Sequence, residues 1–494
     1  MSAPADPRPV ESWDAIVAGG GVAGLTAARE LAVRGARTLV LEAGDHLGGP
    51  VTGHDVAGLR LDAGAESFAT RGDAVADLAD ELGLGDALTA PSGRGSWVYL
   101  PDGRACTLPR AGVLGIPARP WARDVVRTLG VAGALRASLD RVLPRRVGTG
   151  PAVTIGGLVR ARMGARVLER LVAPVVSGVH AASADRLDVE SVAPGLLAGL
   201  ARHGSLGAAV AGQRRQAPAG AAVAGIVGGM HRLVEELVAD LELRGAELRT
   251  GVTVTGLTRA PGAEGWLVTA GETVLAASTV VVAVPGRTAL DLLREALPDA
   301  ELSDALPDAG ADVVLATLVV DAPGLDSAPR GTGVLVAESA TDVRAKAMTH
   351  GTAKWSWLTE RAHALGRENG ARFGWQVLRL SYGRGGESSA AAVAADDATL
   401  TGWALADASR LLGVPLDATH LVGFARRRWS DSLPQHAPEH RALVASVRAA
   451  VEATAGLAVC GAWIAGTGLT SVVSDARRVG RELARERAAA DPAS

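Results

Sequence analysis

Cysteine, lysine and aromatic side chains are scarce in this sequence of 494 residues. Its two cysteines, Cys106 and Cys460, lie far apart, which argues against a disulfide framework and a cysteine-ligated zinc site. Lysine occurs only as Lys346 and Lys354, so arginine supplies nearly all of the 50 basic residues. With 53 acidic residues the formal net charge is −3, and no overall basic field indicates nucleic-acid binding.

Long hydrophobic runs are also missing. No run of about 18 uninterrupted apolar residues occurs, so we expect no membrane-spanning helix. Residues 1–12 lack the apolar stretch of a secretory signal, and we expect a cytoplasmic protein. The ten histidines are scattered and indicate no metal site. Hydrophobic residues at 48% and charged residues at 21% are ordinary for a globular chain, here long enough for two or three domains.

The first sixty residues carry the strongest pattern. Residues 14–18 are a short apolar run, typical of a buried parallel strand. A G-x-G-x-x-G sequence follows at residues 19–24, and then a helical stripe of small and apolar residues that ends at Gly35. Residues 38–41 predict a second strand, which Glu42 closes.

Each part of this pattern has a physical reason in a dinucleotide-binding unit. Gly19 permits the tight turn, Gly21 lets the backbone approach a pyrophosphate, and Gly24 lets the helix pack closely on the strand. The N-terminus of the helix offers free N–H groups and a positive dipole to the phosphates. Glu42 is placed to accept hydrogen bonds from ribose hydroxyls, and an acid there disfavours NADP.

Two later stretches repeat the alternation of strand, glycine turn and helix. Residues 457–461 predict an apolar strand and residues 462–469 a glycine turn, after which Thr470 or Ser471 is placed to cap a helix. In the middle of the chain, residues 228–230 open another helix. The strands predicted after it are residues 250–254, 266–268 and 279–284.

Several of these stretches resemble one flavoprotein group. After Glu42 a second glycine pair, Gly48 and Gly49, resembles the extension found in the superfamily of amine oxidases, phytoene desaturases and protoporphyrinogen oxidases. Residues 61–71, L-D-A-G-A-E-S-F-A-T-R, resemble the D-x-G-x-E-S-F-x-x-R segment of the bacterial porphyrinogen oxidases. Position 50 departs from the pattern, because Pro50 stands where those families usually have Arg or Lys.

Further resemblances are spread over almost the whole chain. Residues 354–355 resemble a K-W pair of the porphyrinogen oxidases, residues 378–384 their L-R-x-x-x-G-R, and residues 429–440 their W-x-x-x-x-P-Q-[YH]-x-x-x-H. By these motifs the sequence is similar to the FAD-dependent porphyrinogen oxidases. It looks closest to the Gram-positive, actinobacterial branch, whose members form coproporphyrin III.

The resemblance implies an α/β fold, α+β overall, with a discontinuous Rossmann-type FAD-binding domain, a mixed-sheet substrate domain and a helical insert. The implied boundaries are 1–75, 225–290 and 440–494 for the FAD domain, 76–100 and 291–439 for the substrate domain, and 101–224 for the insert. Within the insert, the glycines from 204 to 220 predict a mobile surface loop. We find no strong apolar face in the insert and expect a solvated helical lobe, with peripheral membrane contact left open.

The resemblance also implies FAD as the cofactor, and it carries over a backbone contact to the adenine at Val254. The substrate residues are Arg71, Lys354 and Arg379, of which arginine is suited to pair bidentately with carboxylates. No catalytic side chain is assigned, because the flavin N5 carries the chemistry. The cofactor-binding residues are Gly19, Gly20, Gly21, Val22, Ala23, Gly24, Glu42, Ala43, Gly48, Gly49, Gly64, Ala65, Glu66, Val254, Trp429, Gly461, Gly466, Thr467, Gly468 and Leu469.

The implied activity is oxidation of coproporphyrinogen III to coproporphyrin III in haem biosynthesis. It would proceed by three two-electron transfers to flavin N5, with O2 as the acceptor and H2O2 released. A downstream ferrochelatase-type partner stays open. The alternatives are a protoporphyrinogen IX oxidase, an FAD amine oxidase or carotenoid desaturase, an NAD-dependent dehydrogenase that uses only the first glycine motif, and a non-enzymatic, flavin-holding tetrapyrrole carrier.

Overall fold

Helices and strands are mixed along the whole chain in the computed structural model, which confirms the α/β class. The structure describes residues 11–109, 112–150, 152–180, 182–216, 222–261, 265–300, 302, 312–372, 374–383, 387–430 and 440–490. Four residues of the motifs above, Arg384, Pro434, Gln435 and His436, lie outside this part of the chain.

The strands are β1 Glu11–Ala18, β2 Thr38–Leu41, β3 Gly53–Val56, β4 Leu59–Asp62, β5 Phe68–Ala69, β6 Leu88–Thr89, β7 Trp97–Tyr99, β8 Ala105–Thr107, β9 Gly112–Val113, β10 Ile116–Pro117, β11 Val223–Ile226, β12 Glu247–Arg249, β13 Val254–Arg259, β14 Trp266–Ala270, β15 Thr273–Val282, β16 Val313–Asp321, β17 Gly333–Val336, β18 Ala347–His350, β19 Trp375–Tyr382, β20 Leu421–Trp429 and β21 Leu457–Val459. The helices are α1 Val22–Ala32, α2 Ala74–Glu81, α3 Arg123–Ser138, α4 Ile155–Met163, α5 Ala165–Val167, α6 Ala173–His180, α7 Val189–Val192, α8 Leu196–His203, α9 Leu206–Gln216, α10 His231–Leu243, α11 Gly286–Ala296, α12 Gly351–Lys354, α13 Ser356–Glu368, α14 Glu387–Ala394, α15 Asp397–Leu412, α16 His440–Glu452, α17 Ala462–Ala465 and α18 Leu469–Ala490.

The first large sheet has the order β12-β2-β1-β15-β14-β13, and β21 pairs with the far end of β15. Its centre is parallel: β1 pairs in parallel with β2 on one side and β15 on the other, and β15 pairs in parallel with β21. Helices α1, α10 and α18 cover one face, where Leu25, Leu237 and Val473 are fully or almost fully buried. Helices α11 and α16 cover the other, with Leu290 and Val447 in the core. A parallel sheet covered on both faces explains why its strands are continuously apolar.

The second large sheet has the order β20-β16-β19-β18-β17-β7-β8 and is mostly antiparallel. One of its faces packs against α15, where Leu318 and Leu378 meet Leu400. Because strand side chains alternate between faces, Thr317 and its direct partner Arg379 lie on the opposite face. That face is the one from which polar side chains reach the cofactor motifs.

Residues 116–210 pack their own apolar core from α3 to α9, with Leu158 and Leu171 fully buried. The prediction of a surface loop from residue 204 to residue 220 is wrong over most of its length, because α9 spans Leu206–Gln216. Asp140 explains this helix: its carboxylate accepts the N–H groups of Leu206 and Gly207, at 3.0 and 2.9 Å, and so caps the N-terminus. A cap 66 residues away along the chain leaves no local signal.

The outer surface of α3 carries an apolar stripe that the sequence pattern did not reveal. Val131 and Leu135 of α3, and Leu139 directly after it, are each about half exposed, at 59%, 55% and 48%. Gly130, with φ of 72°, interrupts the helix just before the stripe. Across the described ranges, no helix combines the length and the apolar character needed to cross a bilayer.

Two predicted boundaries also change. Residues 250–254 are not one strand: β12 ends at Arg249, Gly251 turns with φ of 70°, and β13 begins at Val254. Neither Thr470 nor Ser471 precedes the last helix, because α18 already begins at Leu469. The hydroxyl of Thr470 instead donates to the carbonyl oxygen of Ala69 at 2.6 Å.

Candidate active site

The first glycine turn links β1 to the N-terminus of α1, as predicted. Gly19 has φ of 107°, and a Cβ there would lie 2.5 Å from the carbonyl oxygen of Ala283. A Cβ at Gly24 would overlap the carbonyl oxygen of Gly19, so that residue keeps α1 close to the strand. At Gly21 a Cβ would meet nothing within 4 Å, so the turn opens onto free space there. Val22 and Ala23 form the first helical turn, whose N–H groups have no intrahelical acceptor.

Glu42 organises the loop that follows β2. Its carboxylate accepts the N–H groups of Gly20 at 2.8 Å and Gly44 at 2.7 Å, with Ala43 between the strand and the second contact. The N–H group of Gly48 donates to the carbonyl oxygen of Gly20 at 2.8 Å. The second glycine pair, Gly48 with Gly49, therefore lies directly beside the first glycine turn.

The backbone of residues 63–65 continues this surface. The N–H group of Ala65 donates to the carbonyl oxygen of Pro50 at 2.9 Å, and a Cβ at Gly64 would overlap that same oxygen. Pro50 thus contributes a carbonyl group to the loop but no side-chain charge. The indole Nε1 of Trp429 donates to the carbonyl oxygen of Ala63 at 2.9 Å, which brings the end of β20 to the same place.

The C-terminal glycine turn and Val254 reach the site from elsewhere in the chain. Gly461 follows β21 with φ of 130°, Gly466 has φ of 96°, and Thr467 and Gly468 lead into Leu469, the first residue of α18. A Cβ at Gly466 would meet nothing within 4 Å. Val254 is buried at the start of β13. Shortly before it, the N–H groups of residues 251 and 252 donate to the carbonyl oxygens of Gly44 and Glu42, respectively, which brings this segment to the loop after β2.

Glu66, Lys354 and Arg379 form one ionic cluster beside these segments. The ammonium of Lys354 lies 2.6 Å from Oε1 of Glu66, and Arg379 lies 2.9 Å from Oε2. Arg379 also donates to the carbonyl oxygen of Gly64 at 2.7 Å. Burial would raise the pKa of Glu66, but Arg379 and Lys354 outweigh it and lower that pKa to about 2. All three side chains are less than one-fifth exposed.

Arg71 does not join this cluster. It lies in an exposed turn after β5, and across the described ranges it forms no ion pair with an acidic side chain. The turn borders the start of α18, since a Cβ at the next residue, Gly72, would lie 3.4 Å from Thr470.

Three side chains near the cluster were not singled out from the sequence: His46, His54 and Arg427. The guanidinium of Arg427 lies 2.7 Å from Nε2 of His46 and 4.7 Å from the ring centre of Trp429. Burial, followed by the nearby Arg379 and Arg427, lowers the pKa of His54 to about 4. The run of arginines at residues 426–428 resembles a solvated charge cluster in the sequence, so only the tertiary structure distinguishes Arg427.

Three features together define a dinucleotide-dependent oxidoreductase. They are a glycine turn at a helix N-terminus, an acid at the end of the second strand, and a second glycine turn from the C-terminal segment. Residues 22–486 match the family described as flavin containing amine oxidoreductase. The chain belongs to this flavin-containing family, and it is an FAD-dependent oxidoreductase.

Relatives that match nearly the whole chain indicate which members of the family it is similar to. The chain is 32% identical over 475 residues to a coproporphyrinogen III oxidase of Mycobacterium leprae, covering 95% of this chain and 98% of the relative. A coproporphyrinogen III oxidase of Bacillus subtilis is 24% identical over 479 residues, covering 94% and 96%. In fold, the chain is similar to a putative protoporphyrinogen oxidase from Exiguobacterium, with a TM-score of 0.78, 24% identity, and coverage of 96% of this chain and 99% of that one.

Proposed function

We propose that this protein oxidises coproporphyrinogen III to coproporphyrin III, with O2 as the electron acceptor and hydrogen peroxide as the second product. One observation carries the proposal: a coproporphyrinogen III oxidase is 32% identical over 95% of the chain. The matched length includes the glycine turns and the polar face of the second sheet alike, and not the cofactor motifs alone. We place the reaction in the cytoplasm, in haem biosynthesis, where a ferrochelatase-type enzyme would use the product.

The residues at the glycine turns fit FAD, and we assign them to it. Open space at Gly21 and Gly466 leaves room for a ligand against the backbone, which larger side chains would fill. The first turn of α1 would bind the diphosphate through N–H groups. Glu42 would accept hydrogen bonds from the ribose, since two backbone donors leave part of its capacity free. Bound FAD would accept a hydride from the macrocycle in each of three two-electron steps and pass the electrons to O2.

We assign the ionic cluster to the substrate side of the site. Two cations against one carboxylate leave a net positive charge, which favours a substrate that carries propionates. With a pKa of about 2, Glu66 stays ionised at neutral pH and already accepts from both cations. Glu66 is therefore a fixed counter-ion and not a general base. The reaction needs no strong base, because forming the aromatic macrocycle is itself favourable.

We further propose that the two large sheets belong to different domains. The sheet that contains β1, β2 and β21 would be the FAD domain, assembled from residues 1–75, 225–290 and 440–494. The sheet that contains β16 and β19 would be the substrate domain. It includes β8 at Ala105–Thr107, so the helical insert predicted at residues 101–224 would begin only after that strand. The cluster of Glu66, Lys354 and Arg379 then joins a loop of the first domain to α12 and a strand of the second.

The test uses the purified flavoprotein in air. Growth of porphyrin fluorescence and O2 uptake would be followed with coproporphyrinogen III and, separately, with protoporphyrinogen IX. We expect faster turnover of the four-propionate substrate, with peroxide formed. Faster turnover of protoporphyrinogen IX would contradict the substrate assignment. Porphyrin binding without O2 uptake would support a tetrapyrrole carrier, and no reaction with either substrate would refute the proposal while leaving the family membership intact.

A further inference from the structure

Arg427 differs from the two arginines beside it on β20. Arg426 donates to the carbonyl oxygens of Ala392 and Val393, at 3.3 and 2.6 Å. Arg428 pairs with Asp312 at 3.1 Å. Because side chains alternate along a strand, Arg426 and Arg428 lie on one face of β20 and Arg427 lies on the other. Arg427 is half-buried, yet no carboxylate of the described residues pairs with it, and its buried Nε has no hydrogen-bond partner there. A desolvated guanidinium without a counter-ion is costly, so this position favours an anion.

Within the described residues, the polar contact of Arg427 is with a histidine and does not neutralise its charge. Its Nη2 lies 2.7 Å from Nε2 of His46, whose Nδ1 lies 2.6 Å from Oδ1 of Asp45. A guanidinium only donates, so Nε2 must accept, and the ring proton sits on Nδ1 facing the aspartate. The guanidinium carbon of Arg427 also lies 4.7 Å from the ring centre of Trp429, a distance at which cation and ring attract each other.

His46 belongs to the loop between Glu42 and the second glycine pair. Both ends of this loop are tied to the cofactor turn, through Gly44 to the carboxylate of Glu42 and through Gly48 to the carbonyl oxygen of Gly20. The guanidinium from the second sheet therefore lies against the segment that we assign to the dinucleotide.

The assigned cofactor residues supply no positive side chain, because none of them is lysine or arginine. The diphosphate of FAD carries two negative charges, and backbone N–H groups alone would have to stabilise both. Burial lowers the pKa of the neighbouring His54 to about 4, and the positive charges of Arg379 and Arg427 contribute to that lowering. The electrostatic potential around His54 is therefore positive. An anionic oxygen in this region would be attracted.

We propose that Arg427, which contacts Trp429 and His46, binds the diphosphate of FAD. The contact would cross from the second sheet to the cofactor loop, so binding of the cofactor would also fix the two sheets against each other. The proposal depends on the family's flavin and not on the identity of the substrate.

Equilibrium binding to the deflavinated apoprotein tests it. Dissociation constants of FAD, by quenching of flavin fluorescence, and of ADP, by calorimetry, would be compared for the wild type, Arg427→Gln, Arg427→Lys and the control Arg428→Gln. We expect Arg427→Gln to weaken both ligands at least about tenfold, as for loss of a charge-assisted hydrogen bond, while Arg427→Lys retains most of the affinity. Arg428→Gln should bind like the wild type. Unchanged FAD and ADP affinity in Arg427→Gln would overturn the proposal.

A measurement on the unaltered chain covers the case in which the variant does not fold. Apoprotein would be treated with phenylglyoxal, and modification at Arg427 measured by peptide mapping with and without ADP. Protection by ADP supports the diphosphate contact, and equal modification with and without ADP overturns it. Protection by coproporphyrin III but not by ADP would assign the arginine to a substrate carboxylate and would also overturn it.

Discussion

At the scale of single residues, Glu66 shows what tertiary structure adds to a motif. The sequence motifs separate Glu66 as a cofactor residue from Lys354 and Arg379 as substrate residues. The structure brings all three within hydrogen-bond distance, although Glu66 and Lys354 are 288 positions apart. No local pattern encodes such a pairing, because it depends on where a loop of one sheet meets a strand of another. The roles of these residues at a site therefore stay predictions, and their ionic pairing could not be predicted from the sequence.

Replacing Glu66 by Gln should destabilise the protein by about 3 kcal/mol at pH 7, because two largely buried cations lose their counter-ion. The pKa of Glu66 is about 2 in the folded protein, against an ordinary value of 4.5. Its lowered pKa means that the stabilisation is complete above 4.5 and is lost as the pH falls from 4.5 towards 2. Urea unfolding at several pH values, for the wild type and Glu66→Gln, measures this difference.

The matched control is Glu272→Gln, an exposed glutamate in the turn between β14 and β15. It should change the free energy of unfolding by less than about 0.5 kcal/mol at every pH. A Glu66→Gln effect that is as large at pH 3 as at pH 7 would show that the ionised carboxylate is not what stabilises the cluster.

At the scale of elements, local sequence patterns correctly predicted the strands, turns and helices that depend mainly on residues adjacent in the sequence. The strand, glycine turn and helix from β1 to α1, and the second strand β2, all occur where the sequence placed them. The failures depend on distant partners: Asp140 caps α9, and residues 251–252 are held by the loop at Glu42. A glycine-rich stretch is equally compatible with a loop and with the start of a helix. Which of the two forms depends here on hydrogen bonds to distant residues, and these leave no mark in the local sequence.

The packing of α1 on β1 gives a sharp test at Gly24. Substituting alanine adds a Cβ that overlaps the carbonyl oxygen of Gly19, so α1 must move away from the glycine turn. We expect Gly24→Ala to lose about 3 kcal/mol of stability and most of its bound FAD. Thermal unfolding and the flavin absorbance of the purified protein measure both effects.

Gly402→Ala provides the comparison within another helix. A Cβ at Gly402, in α15, meets nothing within 4 Å, so alanine there should stabilise by about 0.5–1 kcal/mol and leave the flavin content unchanged. Wild-type flavin content in Gly24→Ala would mean that close helix–strand packing is not required for the site.

At the scale of the whole molecule, the first and last helices of the described chain hold the cofactor sheet together. The C-terminal helix α18 packs along α1, and Arg477 and Arg481 both pair with Glu30, at 2.9 and 3.0 Å. Arg477 also pairs with Glu81 of α2, and Arg29 joins Glu81 to Asp240 of α10. These ion pairs connect segments from both ends and the middle of the chain, so we expect the cofactor turns to form fully only when all three segments are assembled.

Gly480 brings the backbone of α18 close to α1, and it offers a test of this assembly. A Cβ there would lie 2.7 Å from the carbonyl oxygen of Ala27 and 2.8 Å from Cβ of Glu30. In an isolated helix, replacing glycine by valine is slightly favourable, so any destabilisation must come from the interface. We expect Gly480→Val to separate the helices, lower the melting temperature and weaken FAD binding, whereas Ala488→Val on the exposed side of α18 changes neither. If Gly480→Val binds FAD like the wild type, the C-terminal turn forms without close packing of α18 on α1, and the site does not depend on joining the two ends of the chain.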